Sequence, residues 1–105
     1  MHQHKEKAEA MYRHALTLNA DSESTLNRLG LLTFEKHNYV EAKELFTRAH
    51  AMNPRNEYKW NLAWTAKHTG DAEGAKRMMD GMPKQIPMNS EMVAPPEMKA
   101  HLVRA

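Results

Sequence analysis

Apolar positions recur at helical spacing along most of this chain. Ala8, Met11, Tyr12, Ala15, Leu16 and Leu18 follow one another at steps of three and four, so that one side of a helix faces a core; they predict a helix over about 3–19, ending at Asn19-Ala20-Asp21. A second helix is predicted to begin after Asp21 or Ser22, whose side-chain oxygens suit the unpaired N–H groups of a helix start, and to run to about Lys36. His37-Asn38 makes the turn. Asn38 followed three residues later by Glu41 has the spacing of a capping box for a third helix, which carries Ala42, Leu45, Phe46 and Ala49 on one face and stops near Asn53-Pro54. A fourth helix is predicted from about Asn56 to His68. On it Tyr58, Leu62 and Ala66 form a stripe towards the core, while Trp60 and Trp64 sit about 200° round from that stripe.

After the turn Thr69-Gly70-Asp71, a fifth helix carries Ala75, Met79 and Met82, and Gly74 and Gly81 weaken it relative to its predecessors. Beyond Pro87 the pattern becomes rich in proline and methionine. Pro96 suits the first turn of a helix, and Met98, Leu102 and Val103 share a face, which predicts a short helix from about 96 to 104 that serves as a cap or an arm.

These elements repeat. Ala8, Tyr12 and Ala15 recur as Ala42, Phe46 and Ala49 at an offset of about 34 residues, and Ala75, Met79 and Met82 follow at about 33 more. The most complete unit reads Leu26, Leu29-Gly30, Ala42, Phe46, Ala49 and Pro54. It resembles the tetratricopeptide repeat family, whose signature runs W-x2-L-G-x2-Y, then A-x3-F, then P. Leu26 replaces the aromatic and Thr33 the tyrosine, but the glycine and both alanines fall where close helix packing needs small side chains.

The resemblance implies an all-α, antiparallel helix-pair solenoid of about two and a half repeats plus a short C-terminal helix. A repeat domain would span 1–88: the second helix of a first repeat at about 3–19, a repeat at 22–54 and another at 55–87. A C-terminal arm or capping helix would follow at 89–105. The helix that should precede the first one is missing from the pattern, so an apolar edge needs cover there.

Composition narrows the function classes. With 41% hydrophobic and 27% charged residues the chain fits neither the disordered nor the membrane class, and no apolar run approaches the length of a membrane span. A net charge of +2, with both signs scattered, gives no footprint for nucleic acid. There is no cysteine, which removes disulfides, thiolate metal sites and cysteine nucleophiles together. The polar start, from Met1 to Lys7, lacks the apolar stretch of a secretory signal, and the expectation is a cytoplasmic protein.

No motif for nucleotide binding or hydrolysis is present, and no catalytic residue is assigned. The seven histidines are dispersed; His2 and His4 alone lie close in sequence, without a third anchored ligand, so no metal or other cofactor is expected.

What remains is binding. In the family, the first helices of successive repeats line a concave groove that takes a peptide or helix of another protein. Carried over by aligned position, the resemblance puts Ser24, Asn27, Leu31, Phe34 and Glu35 on that groove with Glu57, Trp60, Trp64, Lys67 and His68. Tryptophan is enriched at binding hot spots, which weights Trp60 and Trp64; the alternative is that Trp64 packs on the preceding repeat and Trp60 is covered by the C-terminal arm. A carboxylate clamp from Lys67, Asn61 and Arg28 lacks its first groove helix and cannot be completed. The leading expectation is a scaffold or adaptor that binds a peptide or helix of a partner protein. The alternative is self-association, with the unpaired first helix presenting Met11, Tyr12 and Ala15 as the edge of a homodimer.

Overall fold

The computed structural model describes residues 2–83 and 87–94. Within them the chain forms five helices and no strand: α1 (His2–Leu18), α2 (Glu23–Glu35), α3 (Tyr39–Met52), α4 (Asn56–His68) and α5 (Ala72–Asp80). Each packs on the one before it, as short connections between antiparallel helices require, and α2 also meets α4. That last contact sets the first helices of two successive repeats side by side. The helix proposed from sequence over 96–104 lies outside the described residues.

Two turns reverse the chain by the same device. After α2, His37 takes a left-handed conformation (φ 65°), the N–H of Asn38 donates to the Thr33 carbonyl at 2.8 Å, and that of His37 to the Phe34 carbonyl at 3.0 Å. After α4, Gly70 (φ 89°) repeats the arrangement, with the Asp71 N–H on the Ala66 carbonyl at 2.9 Å. These bonds satisfy carbonyls that a helix end would otherwise leave unpaired.

The capping box expected at Asn38 is not formed. Asn38 does stand at the cap position of α3, but its side chain makes no capping bond and its amide donates to the Glu41 carboxylate at 3.1 Å. The Asn38 N–H that such a box needs is already bonded to the Thr33 carbonyl, and both Glu41 oxygens accept from the Nη atoms of Arg13 at 2.9 Å, so this carboxylate also ties α1 to α3.

The core lies between α2, α3 and α4. Leu26, Leu29, Leu45, Ala49 and Tyr58 form one buried cluster, with Tyr12 and Leu16 of α1 packed against it. Ala42 and Phe46, from the same face of α3, form a second cluster with Val93. Gly30 is buried against the Phe46 ring, and a Cβ there would stand 2.6 Å from a ring carbon, so a side chain at this position would force the ring or the helices to shift.

Two further expectations change. Helix α5 ends at Asp80, so Met82 lies beyond it; the N–H of Met82 still bonds back to Met79, but Pro83 follows, and proline disfavours the helical conformation in the residue before it. On α4, Leu62 is only partly buried, whereas Asn61 and Thr65 are fully buried beside Tyr58 and Ala66. The helix is enclosed on several sides, so a single apolar stripe does not describe it.

Candidate peptide-binding groove

Two asparagines face each other from α2 and α4, 34 residues apart, and both are buried. A buried carboxamide is costly unless its donors and acceptor are used. Asn61 uses both: its Nδ2 donates to Asn27 Oδ1 at 2.8 Å and to the Glu91 carbonyl at 2.8 Å, and its Oδ1 accepts the Val93 N–H at 2.7 Å. Asn27 Nδ2 adds a second bond to the same Glu91 carbonyl at 3.0 Å.

Residues 89–94 therefore lie along the α2–α4 wall, bonded through their main chain. Asn61 engages the carbonyl of Glu91 and the N–H of Val93, on either side of Met92, while the Met92 N–H turns back onto the Asn89 carbonyl at 3.2 Å, so the segment enters the groove through a turn. Trp60 completes the contacts, its Nε1–H donating to the Val93 carbonyl at 2.9 Å. These bonds are made to main-chain atoms, whatever the side chains.

Side chains add the selectivity. Val93 is buried in the second core cluster with Ala42 and Phe46, and Leu31, Phe34, Trp60, Leu62 and Trp64 pack against that cluster. Burying a valine side chain is worth about 1.5–3 kcal/mol. Glu91 meets Arg55 at 2.6 Å. Asn89, at the start of the segment, reaches Glu57 at 3.4 Å. Beyond Val93 a cavity of about 430 Å³ continues past Ala94 between Leu31, Phe34, His37 and Tyr39.

Arg55 is held in place from behind. It lies over the Tyr58 ring, 5.1 Å from the centroid, and donates to the Tyr58 hydroxyl at 3.3 Å; that hydroxyl in turn donates to Glu23 at 2.9 Å. The bond to Glu91, then that to Tyr58, raise the Arg55 pKa above its ordinary value, so the guanidinium stays charged throughout the accessible pH range. The Glu57 carboxyl is held below its ordinary value, first by its own backbone N–H at the start of α4 and then by Arg55.

Of the residues expected on the groove, Asn27, Leu31, Phe34, Trp60 and Trp64 converge on the 89–94 segment, and Glu57 touches its first residue. Lys67 and His68 do not reach it through any bond: Lys67 Nζ stands 4.5 Å over the Trp64 ring, and His68 stacks on Tyr39 with centroids 4.7 Å apart. On α1, Met11 is 70% exposed, while Tyr12 turns inward onto the core and Ala15 is half-buried. Tyr12 and Ala15 therefore do not face outward as the dimer edge had them, because this helix already spends that side on α2.

Sequence reasoning passed over Asn61 and Arg55 as groove residues. Asn61 enters the sequence reading only through the carboxylate clamp: at the offset of 33 between the starts of α2 and α4, Trp60 and not Asn61 answers to Asn27, so the repeat gives it no mark, and it gives Arg55 none.

With this geometry in place, comparison identifies the architecture. The tetratricopeptide repeat profile matches residues 33–94, more than half of the chain. The chain belongs to the tetratricopeptide repeat family. Tetratricopeptide repeats generally mediate protein–protein interactions, as a non-catalytic module. The match takes in α3, α4, α5 and the segment that lies on the groove. No solved structure matches the chain. Among the described residues, no helix is long and apolar enough to cross a membrane, and no group of three or more His, Asp or Glu side chains is arranged to hold a metal ion.

Proposed function

We propose that this tetratricopeptide repeat protein is a scaffold or adaptor module that binds a peptide segment of another protein along the α2–α4 groove. One observation carries the reading: the groove already holds a stretch of polypeptide, bonded through its backbone by Asn27, Asn61 and Trp60. A surface that satisfies one main chain is suited to another, since main-chain bonds give affinity and side-chain pockets give choice. The test is selection from a displayed peptide library, followed by titration of the winners into isotopically labelled protein. Shifts at the Asn27 and Asn61 side-chain amides and the Trp60 indole, lost in a Trp60→Ala, Trp64→Ala variant, support the groove. Winners that shift only the convex face would remove it.

A second reading, self-association, is favoured by one feature of α1. Met11 and Leu18, 70% and 76% exposed, lie two turns apart on the same side of the helix. A homodimer through this edge would cover both and leave the groove free. Sedimentation that gives a monomer at tens of micromolar, unchanged by Met11→Glu, would exclude it.

A further inference from the structure

The groove's occupant is part of the chain itself, and its contacts specify more than backbone. Glu91 places a carboxylate 2.6 Å from an Arg55 that Tyr58 already orients. Two residues on, Val93 is 4% exposed among aromatic and aliphatic side chains, with its N–H and carbonyl both bonded. Between them the site fixes register, because the Glu91 carbonyl is held by two amide donors at once. The side chains of Asn89 and Ser90, by contrast, are exposed.

We propose, building on the peptide-groove reading above, that residues 89–94 are an internal copy of the groove's ligand. The partner is a protein with a segment carrying a carboxylate at the Glu91 position and a valine-sized aliphatic side chain two residues later, and it binds by displacing this segment.

Two physical arguments support that chemistry. An arginine anchored by a second hydrogen bond prefers an acid over a neutral or basic side chain at that register, and a base would meet repulsion. The Val93 pocket rejects a charge, which would be desolvated there without a partner.

Tethering sets the threshold. A segment on a short connection competes at an effective concentration on the order of millimolar, so a weak or mismatched peptide is excluded and a well-matched one is admitted. Displacement has a built-in reporter, because Trp60 bonds the Val93 carbonyl and both tryptophans pack against the cluster to which Val93 belongs.

The test uses the full chain and a labelled synthetic peptide of the sequence Asn-Ser-Glu-Met-Val-Ala, that of residues 89–94. Anisotropy is followed with the wild-type protein and with Val93→Asp, which ejects the internal segment; circular dichroism establishes that the variant is folded. Glu91→Lys serves as the second releasing variant if Val93→Asp does not fold. The releasing variant is expected to bind the peptide at least about tenfold more tightly than wild type, with a red shift of its own tryptophan emission. The peptide with lysine in place of glutamate is expected to lose about tenfold, one contact of ~1.4 kcal/mol, and to recover on a chain that also carries Arg55→Glu.

Equal binding by wild type and releasing variant would overturn displacement. A released, folded chain that binds unrelated peptides as well as this one would overturn the acid–x–aliphatic requirement while leaving the groove intact. A released, folded chain that binds no peptide in a diverse array would overturn both this proposal and the groove reading beneath it.

Discussion

Asn61 donates a hydrogen bond to Asn27 at 2.8 Å across the α2–α4 interface, and the two side chains then share the Glu91 carbonyl. Neither asparagine satisfies itself within its own helix. Each depends on the other and on a segment that arrives from far along the chain, so the groove floor and its occupant form one hydrogen-bonded unit.

Loss of Asn61 should therefore loosen the segment as well as the core. Asn61→Ala leaves the Val93 N–H without its acceptor and the Glu91 carbonyl with one donor fewer, at a cost of about 1–3 kcal/mol. Asn61→Asp should cost more, because its carboxylate would face the Glu91 and Asn27 oxygens that now accept from Nδ2. Thermal denaturation gives the ordering, and hydrogen exchange at Val93, faster in both variants than in wild type, localises it.

Gly30 and Phe46 should behave as a coupled pair. Gly30→Ala drives a methyl into the ring, an overpacking expected to destabilise by about 1–3 kcal/mol. Phe46→Leu alone opens a cavity, and in the double variant the new methyl occupies part of it. A double-mutant cycle in urea should show the two losses summing to more than the double variant's loss. Simple additivity would mean that the helices move apart instead.

Gly70 tests the turn. Its φ of 89° is one that side-chain-bearing residues rarely adopt, so Gly70→Ala should destabilise by about 1 kcal/mol even though nothing stands near the added methyl. The chevron or the urea midpoint reads this directly.

Acid should weaken the α1–α3 connection. Glu41 is held below its ordinary carboxylate value of 4.5 chiefly by the hydrogen bonds from Arg13, and Glu9 likewise by Lys36 and then Arg13. A carboxylate depressed in the folded state contributes stability that is fully present above its unfolded value and is lost as pH falls through the folded one. Melting temperature should thus be insensitive to these groups between about pH 7 and 5 and fall below about pH 4.5. Arg13 and Glu41 are partly exposed, so a cycle on the pair should give only about 0.2–1 kcal/mol at neutral pH. Glu41→Gln should flatten the acid limb, and an unchanged limb would assign it to other carboxylates.

Local rules carried most of the fold. The boundaries of α2 and α4, the turns at His37 and Gly70 and the close approach at Gly30 were legible because each follows from a few neighbouring residues: apolar spacing, a polar start, a small residue where two helices touch. Where local reasoning failed, a distant group had intervened. Glu41 has the right spacing to cap its own helix, yet the Asn38 N–H is spent on Thr33 and Arg13 binds the carboxylate from 28 positions away. Met82 has a place in the repeat pattern, yet Pro83 disfavours helix there.

The groove divides along the same line. That Trp60 and Trp64 lie off the Tyr58–Leu62–Ala66 stripe is a property of helical geometry, and the repeat resemblance carries Asn27 to the same groove; both were readable from residue order. What fills the groove was readable only as an alternative, an arm lying over Trp60. Asn27 meets Glu91 across 64 positions and Val93 seats on Phe46 in the core, and such a pairing depends on where the chain travels after α5 rather than on any local preference. Periodicity selects which faces of the helices are turned towards one another. Only closure in three dimensions decides which stretch of polypeptide satisfies the polar groups those faces enclose.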